Sequence, residues 1–283
     1  MGAGPETSGT VLGRCGVAPY VTSTELTIPA GMEPVLITMT TQNGKTVNPL
    51  TGGDAGINNV VINGIEGTLS IDTASANLYS YGNTYYFTRL TPGEETIIPK
   101  DTPIYTAGMD MYRDYIHIVC IGAYGGFETP DELVFQVKQL IARQTKNSDR
   151  YLVLGMPAYK GEYYGINLDS VDTAMLQAFG NKYISIRKYL CGDGLIDASI
   201  SKTQEDLVAL DSNAVPPSFL VSSTGAELNG KANTLIGKLV FNQLESLGYF
   251  DEIYRELNIS ETTKAILKDD PNYFQNVLKY LVK

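Results

Sequence analysis

A chain of 283 residues is long enough for one large domain or two smaller ones, and its 43% hydrophobic, 18% charged composition excludes a disordered polymer. The net charge of −10, with no basic run to offset it, excludes a polyanion-binding groove and therefore nucleic acid as a partner. No apolar run is long enough to span a bilayer, and MGAGPETSGT carries no charged and apolar leader. The expectation is synthesis in the cytoplasm without a signal peptide and without membrane insertion.

From about Thr24 to Gly108 the chain reads as β-structure. TELTIP, PVLITMTT, VVINGIEGTLSI, NTYYFTRL and EETIIP are short runs rich in Thr, Val, Ile and Tyr, punctuated by Gly, Pro and Asn. Asn63-Gly64, flanked by apolar residues, predicts a type I′ hairpin.

The texture changes from about Asp114. DYIHIVCIG predicts a strand buried on both faces. In TPDELVFQVKQLIARQ, Thr129 is placed to cap a helix, with Pro130 at its first position and Glu132 completing a capping box. Further on, RYLVLGMP predicts a strand, NLDSVDTAMLQAFG a helix closed by Gly180, and KYISIRKYL a third strand. TQEDLVAL predicts a short helix and GKANTLIGKLVFNQLESLG a long one. This alternation implies a parallel, doubly wound α/β sheet with helices on both faces. Residues 1–23 and 109–259 are read as that α/β domain, and residues 24–108 as an inserted antiparallel β-sandwich-like domain. Residues 260–283 form a helical extension, with helices around Glu261–Lys268 and Pro271–Val282.

Several segments are similar to a known family. AGPETSGTVLGRCG (Ala3 to Gly16), YRDYIHIVCIGAYGGFETPDEL (Tyr112 to Leu133), RYLVLGMPA, FGNKYISIRKYL and STGAELNGKANTLIGKLVFNQLESLGYF occur in the order of the SGNH (GDSL-like) hydrolases. The resemblance is to a branch with a β domain inserted between its second and third sequence blocks. It implies a flavodoxin-like parallel sheet. It also implies Gly4 as an oxyanion-hole amide, the one family position that carries over. Where the family has an asparagine, Tyr124 stands. Thr224 and Glu227 occupy the places of its aspartate and histidine, and the block with the serine nucleophile has no counterpart. The resemblance thus implies a catalytically dead member whose missing first strand leaves a sheet edge to be covered, which favours an oligomer.

Elementary chemistry agrees. Acyl transfer needs a nucleophile, a base and oxyanion donors. The single histidine, His117, lies early in an apolar strand, roughly 16 Å along it from Gly122, and reads as a core or sheet-edge residue. Ser222 and Ser223 lack a base, and Glu227 reads as a solvated loop residue. Cys15, Cys120 and Cys191 are far apart and read as buried free thiols. GAYGG lacks a dinucleotide pattern. Asp54 in GGDAGINN and the pair Asp269-Asp270 are weak metal candidates, so no metal or cofactor is expected.

The unusual enrichment is tyrosine, nineteen against no tryptophan, a side chain that suits sugar faces and protein interfaces and equally the half-buried packing of strands. Tyr79, Tyr81, Tyr85 and Tyr86 cluster in the β-rich part. Tyr124, Tyr159, Tyr163 and Tyr164 fall on loops after two predicted strands, where an α/β sheet holds its ligand. The expected function is a noncatalytic structural or receptor-binding protein. The setting implied by the resemblance is a phage tail or baseplate contacting cell-surface glycan or other virion proteins, as a homo-oligomer with a trimer in view. A carbohydrate esterase and an intracellular protein-binding scaffold are the alternatives.

Overall fold

The computed structural model describes residues 6–45, 47, 58–71, 85–109, 113–144, 149–157, 162–163, 165–222, 227–256 and 258–268. Residues 1–156 with 164–178 form one compact unit, and residues 157–163 with 179–283 a second.

The first unit opens with a short helix, α1 (Ser8–Arg14), capped by the Thr7 hydroxyl. Strands β1 (Tyr20–Thr22), β2 (Leu26–Ile28), β3 (Val35–Ile37), β4 (Met39–Thr40), β5 (Val60–Ile62), β6 (Ile65–Ile71), β7 (Tyr85–Arg89), β8 (Thr96–Ile98) and β9 (Pro103–Thr106) follow. Seven of them form one antiparallel sheet in the order β3-β7-β6-β5-β9-β1-β4. Its two edge strands, β3 and β4, are joined through the single residue Thr38, so the sheet curls until its ends adjoin. The Asn63-Gly64 hairpin is present, with φ of 49° and 78° at the two turn residues and Ile62 opposite Ile65.

Period-two patterning sorts the side chains between the two faces. Tyr20, Ile37, Val60, Ile62, Leu69, Tyr85, Phe87 and Ile104 point inward and are buried. The ribbon of β2 and β8 adds Leu26, Ile28 and Ile98 to the same core. Phe87 is fully buried over Gly67, where an added Cβ would lie 2.2 Å from the ring. Arg89, also buried, donates to the carbonyl oxygens of Thr91, Pro29 and Glu94, which fixes the loop before β8.

β10 (His117–Val119) and α2 (Pro130–Ala142) lie beyond the barrel, and β11 (Tyr151–Leu154) pairs with β10 in parallel. Thr129 caps α2 as expected, its Oγ1 accepting from Glu132 N with Pro130 in the first turn, but Glu132 Oε2 accepts from Glu128 N rather than from the Thr129 amide, one residue short of a closed capping box. α1 packs on α2 and is bound to the barrel, because Tyr20 OH donates to Thr10 O at 2.6 Å and Thr106 Oγ1 to Arg14 O. Buried Glu6 holds the Arg14 guanidinium in a bidentate pair, with Arg14 Nη2 2.7 Å from Glu6 Oε2. Next along the chain come β12 (Glu162–Tyr163), which falls in the second unit, and then β13 (Ile166–Asn167) and α3 (Leu168–Phe179), which ends at Gly180 with φ of 55°.

The second unit carries β14 (Tyr183–Ile184), α4 (Ile186–Cys191), α5 (Gly194–Asp197), α6 (Gln204–Asp211), α7 (Gly230–Ser246), α8 (Asp251–Glu256) and α9 (Glu261–Lys268). α7 buries Ala232, Leu235, Phe241 and Leu244, and Phe241 stacks on Phe250 at 5.2 Å between centroids. The helix expected over Pro271–Val282 lies outside the described residues.

The expected fold is corrected. The large sheet is antiparallel and nearly closed like a barrel, not a flavodoxin-like parallel sheet with a sandwich inserted in it, and the parallel sheet is small. Two local causes are visible. KYISIRKYL extends for only Tyr183–Ile184, because Ser185 accepts a hydrogen bond from Lys188 N and starts α4. The segment around Tyr20 supplies β1, hydrogen-bonded between β9 and β4, instead of feeding a parallel sheet. The thiols also differ from expectation: Cys120 is exposed, and Cys15 and Cys191 are half-buried.

Candidate functional site

Two places bear on function, one in each unit. In the first unit, Tyr124 stands on the turn that follows β10. Gly122, Gly125 and Gly126 all adopt positive φ there, and Gly125 N donates to Gly122 O, so the chain reverses tightly around the tyrosine. Two neighbours clamp the turn: Ser8 N donates to Gly125 O at 2.9 Å, and Gln136 Nε2 of α2 donates to Gly126 O at 2.9 Å. A Cβ at Gly126 would come within 2.7 Å of both Ser8 N and Ser8 Oγ, so no other residue fits. Tyr124 itself is 48% exposed. A flat aromatic is thus displayed to solvent from a backbone with little freedom, which lowers the entropy cost of using it as a contact.

Tyr159 and Tyr164 lie outside the described residues, and for Tyr163 the structure describes only the backbone, in β12 of the second unit. Gly4, Ser223, Thr224, Asp54, Tyr79, Tyr81 and Asp269-Asp270 also lie outside them. In the barrel, Tyr85 is buried while Tyr86 is half-buried on the outer face. His117 occupies β10, an edge strand, where it is half-buried and its amide donates to Arg150 O.

In the second unit residues 218–222 and 227–229 form a braced frame. Val221 N donates to Glu227 O, and Leu220 bridges Leu228 across the base of the loop. Asn229 caps α7, its Oδ1 accepting from Lys231 N and Ala232 N while its Nδ2 donates to Ser218 O and Leu220 O. On the other side stands Asp206 of α6, fully buried. Its Oδ2 accepts from Thr203 N and Ser218 Oγ, and its Oδ1 from Ser218 N. Glu227 projects to solvent from the loop's foot, and Ser222 is exposed. The loop's fixed members, Asn229 and Leu228, therefore serve its shape.

Asp206 was not picked out from sequence. Its signal was the Thr203-to-Asp206 spacing of a capping box, which forms, but the second tether to Ser218 is non-local. Burial alone would raise this carboxyl, yet the amides of Thr203 and Ser218 and the Ser218 hydroxyl hold it below the ordinary value. A depressed folded-state value means its stabilisation is present above the unfolded value of about 3.9 and is lost as pH falls through the folded one. Asp206→Asn is expected to cost about 1.5–3 kcal/mol at neutral pH, because whichever oxygen becomes NH2 faces an N–H or O–H donor. Urea titrations across pH check this: the variant's penalty should shrink below pH of about 4.

Among the described residues no group of three His, Cys, Asp or Glu is close enough to hold a metal, and no helix is long and apolar enough to cross a membrane. Comparison with known proteins adds no relative: no family model, no curated protein and no solved structure matches the chain.

Proposed function

We propose that the protein is a noncatalytic structural or receptor-binding component whose displayed Tyr124 contacts bacterial cell-surface glycan. The observation that carries the reading is the clamped turn. It spends three positive-φ glycines and two tethers on holding one exposed aromatic side chain. A tyrosine face matches the C–H face of a sugar ring and its hydroxyl matches the sugar's own hydroxyls. The net charge of −10 does not oppose a neutral sugar as partner, and the segmental sequence resemblance suggests the virion tail or baseplate as the setting. The noncatalytic part of the reading is supported by His117, which is held within a strand, and by Glu227 serving the loop's foot through its backbone.

The test is co-sedimentation of the full chain with Gram-positive cell walls, using free sugars as competitors. Tyr124→Ala is expected to weaken binding about tenfold or more without altering the melting curve. Binding to no wall, or binding indifferent to Tyr124→Ala, overturns the glycan reading. Hydrolysis of aryl or sugar acetates that Glu227→Ala abolishes overturns the noncatalytic one.

A further inference from the structure

The outer face of the seven-stranded sheet has a chemistry unlike the rest of this acidic chain. Register places Leu36, Tyr86 and Ser70 in one outward row across β3, β7 and β6. Thr88 and Thr68 form the next, and Glu66, Val61 and Tyr105 cross β6, β5 and β9. Leu36 is 54% and Tyr105 41% exposed, Ser70 and Glu66 are exposed as well, and Tyr86, Thr88, Thr68 and Val61 between them are half-buried. At these ladder positions Glu66 is the only carboxylate, and there is no Lys or Arg.

We propose that this face is the docking surface for a second copy of the chain. Two copies each carrying −10 repel on average, and they approach most cheaply where neither displays charge. The rows are also complementary to themselves. Ser, Thr and Tyr hydroxyls both donate and accept, so the same patch satisfies itself across a two-fold axis, which a patch of one charge cannot do. Leu36 and Tyr86, adjacent on the ladder, supply the apolar centre. Self-pairing of one patch gives a two-fold dimer, not the trimer that a tail setting brings to mind. Glu66 lies in a different row, away from that centre.

Sedimentation velocity of the full chain over a concentration series, at low and high salt, tests this. The expected result is a monomer–dimer equilibrium that tightens with salt as the repulsion is screened. Leu36→Glu and, separately, Ser70→Glu should each weaken self-association about tenfold or more while melting as the parent does. Both positions are exposed, so neither variant disturbs the core. A monomer at every concentration and salt overturns the proposal, as does a dimer indifferent to both substitutions. A monomer whose cell-wall binding is lost in Leu36→Glu also overturns it, and assigns the face to glycan instead.

Discussion

Glu6→Ala is expected to cost about 3–5 kcal/mol in urea denaturation, among the largest effects of any single substitution in the first unit. Both partners of the Glu6–Arg14 pair are nearly sealed, at 5% and 4% exposure. Arg14 Nε lies 2.9 and 3.0 Å from the two carboxylate oxygens. Burial opposes the guanidinium charge, and the bond and attraction to Glu6 more than restore it, so its pKa is raised. Removing the carboxylate leaves the cation in a low-dielectric corner that also anchors α1 to the barrel through the Arg14 carbonyl. The double variant Glu6→Leu, Arg14→Met should recover most of the loss, because the penalty lies in a buried charge that has lost its carboxylate. Equal instability of the single and double variants would refute that account.

Phe87→Ala is the second large effect, also about 3–5 kcal/mol, since the fully buried ring fills the barrel centre. Its fit depends on Gly67 of the neighbouring strand. Gly67→Ala should itself cost about 1–3 kcal/mol, because its methyl would meet the Phe87 ring at 2.2 Å and the Thr88 carbonyl oxygen at 2.7 Å. In the Phe87→Ala background the Gly67→Ala penalty should fall, though not vanish, because the Thr88 carbonyl remains. A double-mutant cycle with a coupling of about 0.5–3 kcal/mol is the expected readout, and strict additivity would contradict it.

Local features were legible in the sequence because their causes are local. The cap and first turn of α2, the Asn63-Gly64 reversal, the end of α3 at Gly180 and the start of α7 after Asn229 each depend on residues within a turn of one another. Strand pairing was not legible. VLITMT reads as one strand, and nothing local reveals that its two halves serve opposite ends of the same sheet. The β-α alternation implied parallel neighbours, but most of the regular pairing is made by the early strands among themselves, including β1. At the candidate site, the glycines around Tyr124 were visible, whereas the tethers from Ser8 and Gln136 come from other elements. Asp206 shows the same division, with a readable cap and an unreadable reach to Ser218.

The joint at Thr38 has a mechanical consequence. β3 pairs with β7 and β4 pairs with β1, so one short covalent run carries the ladders at both margins of the sheet. Peeling either margin loads the other, and fraying from an edge, the cheapest opening of an ordinary sheet, becomes coupled to loss of the whole barrel. Amide exchange in β1 and β7 should then occur together and at the free energy of global unfolding, as in a hoop that fails all at once.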